Sequence, residues 1–464
     1  MSDPTQMLTG WDRTGSRLEE LTGWGHTAPS TARVAEPVTR AAVQALLAAA
    51  RPGGVIARGA GRSYGDPAQN AGGHVIRCTQ LARIHDLNSV KGLIRVDAGA
   101  TLASLQQQLL PLGFSLPVLP GTAHITVGGA IAADVHGKNH PTHGSFGDHV
   151  LGLTLYTPTG EHQLAPDREP EAFWATIGGM GLTGIITTAT VRAQPIPSPF
   201  IAQHTQRCRD LEALVKNLDA SAHQHNAAWI DCFTTGRRLG RSLLTSGDWA
   251  APGYDTIARP TPPPPRPRPL PSHVPTGLLR PATVRVFNTA KYHRTPQNSH
   301  TQVLHSDRFF HPLDAVTDWN RLYGSGGLTQ YQCTIPHTRA ITFLRRMLET
   351  LHLLDCPPYL AVLKRLGTST HSYLSFPRPG YTLALDFPAN HPQLPTALMH
   401  LDALTLDNGG RLYLAKDSRT NPNTILSMYP ELDAWRLVRD RLDPHRIFTS
   451  DQARRLHLLA PTRR

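Results

Sequence analysis

Apolar and polar positions alternate over several short runs in this chain. Val55–Ala57, Val75–Thr79, Arg83–Asp86 and Leu93–Asp97 read as strands on that pattern. Helical spacing runs over Pro37 to Ala50, where Gly53-Gly54 ends it, and again over Leu102–Leu110. Gly152–Tyr156 and Glu161–Leu164 flank Thr157-Pro158-Thr159-Gly160, the outline of a hairpin. A helix at Glu169–Trp174, a loop at Gly178–Gly184 and a strand at Ile185–Arg192 follow. Further on, Leu328–Ile335 and Tyr381–Phe387 predict strands, with a helix over Ala340–Leu353 between them. The last fifty residues are basic and helical in pattern. This mixture predicts α+β architecture.

Leu8-Thr9-Gly10-Trp11 returns as Leu21-Thr22-Gly23-Trp24, and residues 1–20 read as an N-terminal extension. Pro195, Pro197 and Pro199 mark a boundary. Pro260 to Pro271 (PTPPPPRPRPLP) reads as an exposed or mobile loop of extended backbone.

Lys and Arg number 46 against 34 Asp and Glu, a formal charge of +12. That balance favours phosphate-bearing partners without choosing among nucleic acid, anionic lipid and a phosphorylated ligand. Cys78, Cys208, Cys232, Cys333 and Cys356 lie far apart, a spacing that predicts neither a disulfide framework nor a metal site. The acidic N-terminus lacks the apolar core of a secretory signal, and no run reaches the length of a membrane span. A cytoplasmic location, or a peripheral one at a membrane surface, is the expectation.

The residues with chemical promise begin at Arg58. Gly59, Gly61 and Gly65 let backbone amides approach a phosphate closely. The run is not the dinucleotide fingerprint, because Tyr64 stands where its third glycine would fall. A second region holds Pro120-Gly121-Thr122, Thr126-Val127-Gly128-Gly129, His136-Gly137-Lys138-Asn139 and Gly144-Ser145-Phe146-Gly147. Taken with Ala57–Asn70, Val118–His140, Phe173–Ile186, Phe309–Asp314 and Gly409–Arg419, these runs resemble the FAD-binding vanillyl-alcohol-oxidase-type flavoproteins. Within that superfamily the likeness is to the decaprenylphosphoryl-β-D-ribose 2-oxidase family, in the right order from Thr22 to about Leu459.

The resemblance implies a two-domain flavoprotein. Residues 21–197 would form the first part of an FAD-binding domain. Residues 198–411 would form a substrate domain with an antiparallel sheet and a mobile loop at 259–275, and 412–464 would return to the FAD domain. FAD would be held by Ala57, Arg58, Gly59, Ala60, Gly61, Arg62, Ser63, Tyr64, Gly65 and Asp66. It would also meet Pro120, Gly121, Thr122, Thr126, Val127, Gly128, Gly129, His136, Gly137, Lys138, Asn139, Ile186 and Tyr413. Many related flavoproteins carry a flavin-linking histidine in the first loop. Ser63-Tyr64 stands there instead, which implies non-covalent FAD.

Lys416, with Tyr64 and His136, would serve catalysis. A neutral lysine would accept the proton of the alcohol, whereas a charged one would stabilise negative charge on reduced flavin. Trp229, Arg321, Gln330, Gln332, Lys364, Thr382, Ala384 and Lys416 would face the substrate, with Lys364 suited to a phosphate. Ala361 and Thr382 replace family asparagines, Leu366 a phenylalanine and Ala384 a cysteine, which leaves the substrate open. It would be a polyprenyl-phosphate ribose on one reading and a soluble sugar on the other. On the first, a separate NADH-dependent short-chain dehydrogenase would reduce the keto product, completing the epimerisation to arabinose for the cell wall. A quinone or another acceptor would reoxidise the flavin. A non-catalytic basic binder of nucleic acid or membrane has only the charge in its favour, since no nucleic-acid-binding motif is present.

Overall fold

A computed structural model of the chain describes residues 11, 15–50, 53–253, 268–270, 279–296, 299–368 and 371–459. Most of the proline-rich run, and of the loop expected at 259–275, lies outside these residues. Within it, Arg268–Pro269 pairs in parallel with Val316–Thr317.

Two sheets build the half that carries the glycine-rich loops. The first places Arg17–Leu21, Ser30–Ala35, His74–Arg77 and Val55–Arg58 side by side. The second is antiparallel, in the order Ile84–Asn88, Leu93–Asp97, Ile185–Arg192, Val150–Thr157, Gly160–Leu164. Its last two strands are the expected hairpin. The C-terminal segment rejoins the first sheet: the Val55 amide donates to Ile447 O at 2.7 Å, and the Thr449 amide to Val55 O at 3.1 Å.

The extension expected over residues 1–20 is corrected where the structure describes it, at Trp11 and from Gly15 onward. Trp11 is fully buried and donates from Nε1 to Leu46 O at 3.1 Å, and Arg17–Leu21 is a paired strand. Its charged sequence, RLEEL, hides the strand from an apolar pattern. The charge is matched across the sheet, where Arg77 pairs with both Glu19 and Glu36. The second copy of the repeat also has a structural place. The Trp24 amide donates to Ser63 O at 2.7 Å, and a Cβ on Gly23 would stand 2.1 Å from Gly65 O. Only glycine lets this segment clasp the first loop so closely.

The third sheet is antiparallel and seven-stranded. Its order is His300–His305, Phe200–Cys208, Ser242–Trp249, His225–Ile230, Leu360–Leu366, Gly380–Pro388, Leu328–Ile335. Helices Leu211–Ala220, Ala340–Leu353 and Leu394–Asp407 cover one face, onto which Phe343, Leu344, Met347 and Leu351 are buried. Tyr381, on that face, donates to Asp219 Oδ1 at 2.6 Å. Strand side chains alternate, so Thr382, Ala384 and Asp386 must point the other way. Among the described residues, no helix is long and apolar enough to cross a membrane.

Candidate active site

The free face of the seven-stranded sheet and the two glycine-rich regions enclose a cavity of about 500 Å³. The register explains which side chains reach it. Gln332 pairs with Ala384, Gln330 with Asp386, Val362 with Ala384 and Lys364 with Thr382. Gln330, Gln332, Val362, Lys364, Thr382, Ala384 and Asp386 therefore share one face, and all of them line the cavity. Ala361 is fully buried and pairs with Leu385 on the helix side, so its departure from the family pattern does not touch the lining.

Opposite this face lie Ala57 to Tyr64, Pro120-Gly121-Thr122, Thr126, Gly128-Gly129, His136 and Lys138, with Ile186, Tyr413 and Lys416. Thr126 caps the short helix Val127–Ala132, accepting from the Gly129 amide at 3.2 Å. A Cβ on Gly59 would fall 2.2 Å from Thr126 Oγ1, so the two glycine-rich regions meet only because residue 59 is glycine. Arg62 lays its guanidinium 4.0 Å over the Trp24 ring.

Several expected site residues stand behind the lining instead of in it. Val127 is fully buried in the core. Gly137 lies against Leu119, and Asn139 Nδ2 donates to Pro117 O at 2.8 Å. Gly65 abuts Asp417, and Asp66 pairs with Arg455 at 2.6 Å. Trp229 lies off the cavity under Lys291, whose Nζ is 4.5 Å from its ring. Arg321 pairs with Asp318 at 3.2 Å, also off the cavity. These expectations are corrected from contact to support: Val127, Gly137 and Asn139 alternate with lining neighbours and turn away from the cavity, whereas Trp229 shares the face of Ala227 and Val362 and is covered by Lys291.

Electrostatically the cavity is crowded with cations. Burial holds Lys138 and Lys416 down to about 7 and Lys364 to about 8, and Lys364 opposes protonation of the other two. Lys416 Nζ sits 3.9 Å over the Tyr64 ring, and Lys138 donates to Phe309 O. His136 is held neutral, well below its usual range, by burial and then by Lys364, His140 and Lys416. Its Nε2 accepts from Gln332 at 3.0 Å, and Gln332 also reaches Thr382 Oγ1 at 3.0 Å. The His136 Nδ1 atom is buried without a partner, as is Arg62 Nε.

Asp386 is the residue that sequence reasoning missed. It is the carboxylate on the cavity face of its strand, raised by burial against the opposing pull of Gln330 and Lys416. The signal was available. In Tyr381-Thr-Leu-Ala-Leu-Asp386, alternation puts the aspartate on the face of Thr382 and Ala384.

Glycine-rich loops beside buried, unpartnered donors fit a ligand that carries phosphates and hydrogen-bond acceptors. Comparison with known proteins decides which ligand. The family described as FAD binding domain matches residues 31–165, and that described as D-arabinono-1,4-lactone oxidase matches residues 332–456. A decaprenylphosphoryl-beta-D-ribose oxidase of Mycolicibacterium smegmatis is 39% identical over 95% of this chain and 98% of its own length.

The chain belongs to the decaprenylphosphoryl-β-D-ribose oxidase family.

An uncharacterized protein of Streptomyces coelicolor is 36% identical over 77% of the chain and all of its own length. An L-gulono-1,4-lactone dehydrogenase of Mycobacterium tuberculosis is 24% identical over 92% of the chain and 96% of its own. As a member of the family, the protein is an FAD-dependent alcohol oxidoreductase of the two-domain vanillyl-alcohol-oxidase type.

Two expectations follow directly from the lining. The resemblance aligns Ser63-Tyr64, which line the cavity, with the linking histidine of related flavoproteins, so acid precipitation should release the yellow chromophore into the supernatant; flavin retained on the polypeptide contradicts this. The second concerns thiols. Cys78 lines the cavity, but burial pushes its thiol up to about 12, and it donates to Ile76 O at 3.5 Å. A nitroaromatic inhibitor activated by reduced flavin should therefore leave no adduct on the native chain. Ala384→Cys, which places sulfur on the open face, should gain one by intact-protein mass spectrometry.

Proposed function

We propose that the protein oxidises the 2-hydroxyl of decaprenylphosphoryl-β-D-ribose, or of a closely related polyprenyl-phosphate sugar, to the 2-keto sugar. The observation that carries this reading is the convergence of Lys138, Lys364 and Lys416 on the cavity that the flavin loops line. A relative named for that substrate, aligned over nearly the whole chain, supports it. The first loop and the Thr126–Gly129 turn would hold FAD, with His136 and Tyr413 alongside. FAD, when bound, would supply the acceptor for the hydride that leaves the alcohol carbon.

The side chains then divide the remaining work. Lys364, joined by Lys138 once an anion beside it favours its protonated form, would supply point charges to the phosphate. Lys416, drawn down to about 7 by burial, takes the hydroxyl proton at Nζ in its neutral form, and the Tyr64 ring beneath it fixes its position. His136 is already hydrogen-bonded through Nε2 and serves as a donor from Nδ1. Gln332 orients both His136 and Thr382.

A ketone made this way needs a second enzyme, in our reading a short-chain dehydrogenase using NADH, to complete inversion to arabinose. A quinone or similar acceptor would take the electrons. A membrane-embedded tail would bring the basic protein to the membrane surface. Trapping the product with borodeuteride tests the reaction: deuterium at C2 is expected, and label elsewhere contradicts it. The lining departures at Thr382 and Ala384 favour one competing reading, the same chemistry on a soluble sugar.

A further inference from the structure

We propose that Asp386 receives a second free hydroxyl of the sugar, so that the protein selects its substrate by a hydroxyl it does not oxidise. The inference rests on the sugar-phosphate reading above.

Asp386 is 1% exposed, yet it lines the cavity. Gln330 Nε2 donates to its Oδ1, which fixes the carboxylate plane. Oδ2 is buried and has no hydrogen-bond partner. A buried acceptor left without a donor is destabilising, and more so when charged. The fold tolerates that cost at a place where a ligand brings the donor. The register orders the ligand along the strand. Thr382 lies opposite Lys364, and Asp386 is two positions beyond Ala384 on the same face, opposite Gln330. A phosphate at Lys364 therefore leaves Asp386 for the part of the sugar remote from C1. The donors there are the 3- and 5-hydroxyls, both neutral groups that a carboxylate accepts from without any bond being broken. Lys416, Tyr64 and Tyr323 are the titratable groups that sense its charge, so Asp386 also lies at the end of the cavity where proton removal is placed.

The test is anaerobic flavin reduction by farnesylphosphoryl-β-D-ribose and its 3-deoxy and 5-deoxy analogues. Native protein should lose at least about a hundredfold in kcat/KM with one of the two analogues, as sites built around a hydroxyl do. Asp386→Asn, which turns the acceptor into a donor at equal volume, should lose a comparable factor with the parent sugar and nothing further with that analogue. Its FAD absorbance and thermal midpoint should stay near native. Native protein that uses both analogues as well as the parent overturns the proposal, as do losses that simply multiply. If Asp386→Asn fails to fold, the native comparison alone decides. If the parent sugar itself leaves the flavin of native protein oxidised, the substrate reading falls and this proposal with it. That outcome is distinct from an active enzyme that is indifferent to the missing hydroxyl.

Discussion

Lys416→Ala is expected to bind FAD normally and to lose at least about a hundredfold in the rate of anaerobic flavin reduction. The lysine is buried beside Asp386 and repelled by Lys364, and burial is the largest influence, drawing it down to about 7. The sign of the pH dependence follows. A base must be unprotonated, so the reduction rate should rise with pH through about 7 and level off above it. A lysine acting through its charge would give the opposite slope. Stopped-flow traces between about pH 5 and 9, roughly two units to either side, separate the two. In Lys416→Ala the rising limb should vanish. Unchanged kinetics would make Lys416 an ordinary buried cation.

The second large effect is on the fold. Arg455 donates to both oxygens of Asp66, at 3.0 and 2.6 Å, and to Asp417 Oδ2 at 2.8 Å. It thereby ties the first glycine-rich loop to the segment carrying Lys416. Both carboxylates are nearly inaccessible, at 7% and 4% side-chain exposure. Burial alone would raise Asp417, but Arg455 and Thr420 outweigh it and hold it below the usual carboxylate range. Arg455→Met leaves two buried carboxylates unpaired, and removing one partner of such a pair costs about 3–5 kcal/mol. The variant should purify with less FAD and a markedly lower thermal midpoint. Arg455→Lys should recover only part, because an ammonium lacks the planar fork that spans both acids. A native midpoint in Arg455→Met would show that this tie carries little.

Local pattern makes some of this architecture legible in the sequence. The helix Ala340–Leu353 and the strand Leu328–Ile335 lie where the pattern places them, because each has one strongly apolar face. Pro37–Ala50 tightened to Arg40–Ala48, since Thr39 caps the helix by accepting from the Ala42 amide. Val75–Thr79 became His74–Arg77 followed by a 3-10 turn at Cys78–Gln80. The strands Phe200–Cys208 and Ser242–Trp249 escaped notice because His204, Gln206, Thr245 and Asp248 interrupt their apolar character. In the site, the glycine runs and Lys416 were visible as motifs. Alternation also places Asp386 on the face of Thr382 and Ala384, but its pairing with Gln330 comes from the register of Gly380–Pro388 against Leu328–Ile335, which is a property of the sheet.

The central claim is that the flavin and a lipid-linked sugar phosphate meet in one lysine-rich cavity. Anaerobic bleaching of the bound flavin tests it most directly. Decaprenylphosphoryl-β-D-ribose and a short-chain polyprenylphosphoryl analogue should each bleach the yellow protein, while soluble ribosides lacking the phosphate should leave it oxidised. Bleaching by the soluble ribosides, with no response to either phosphorylated sugar, would contradict the account.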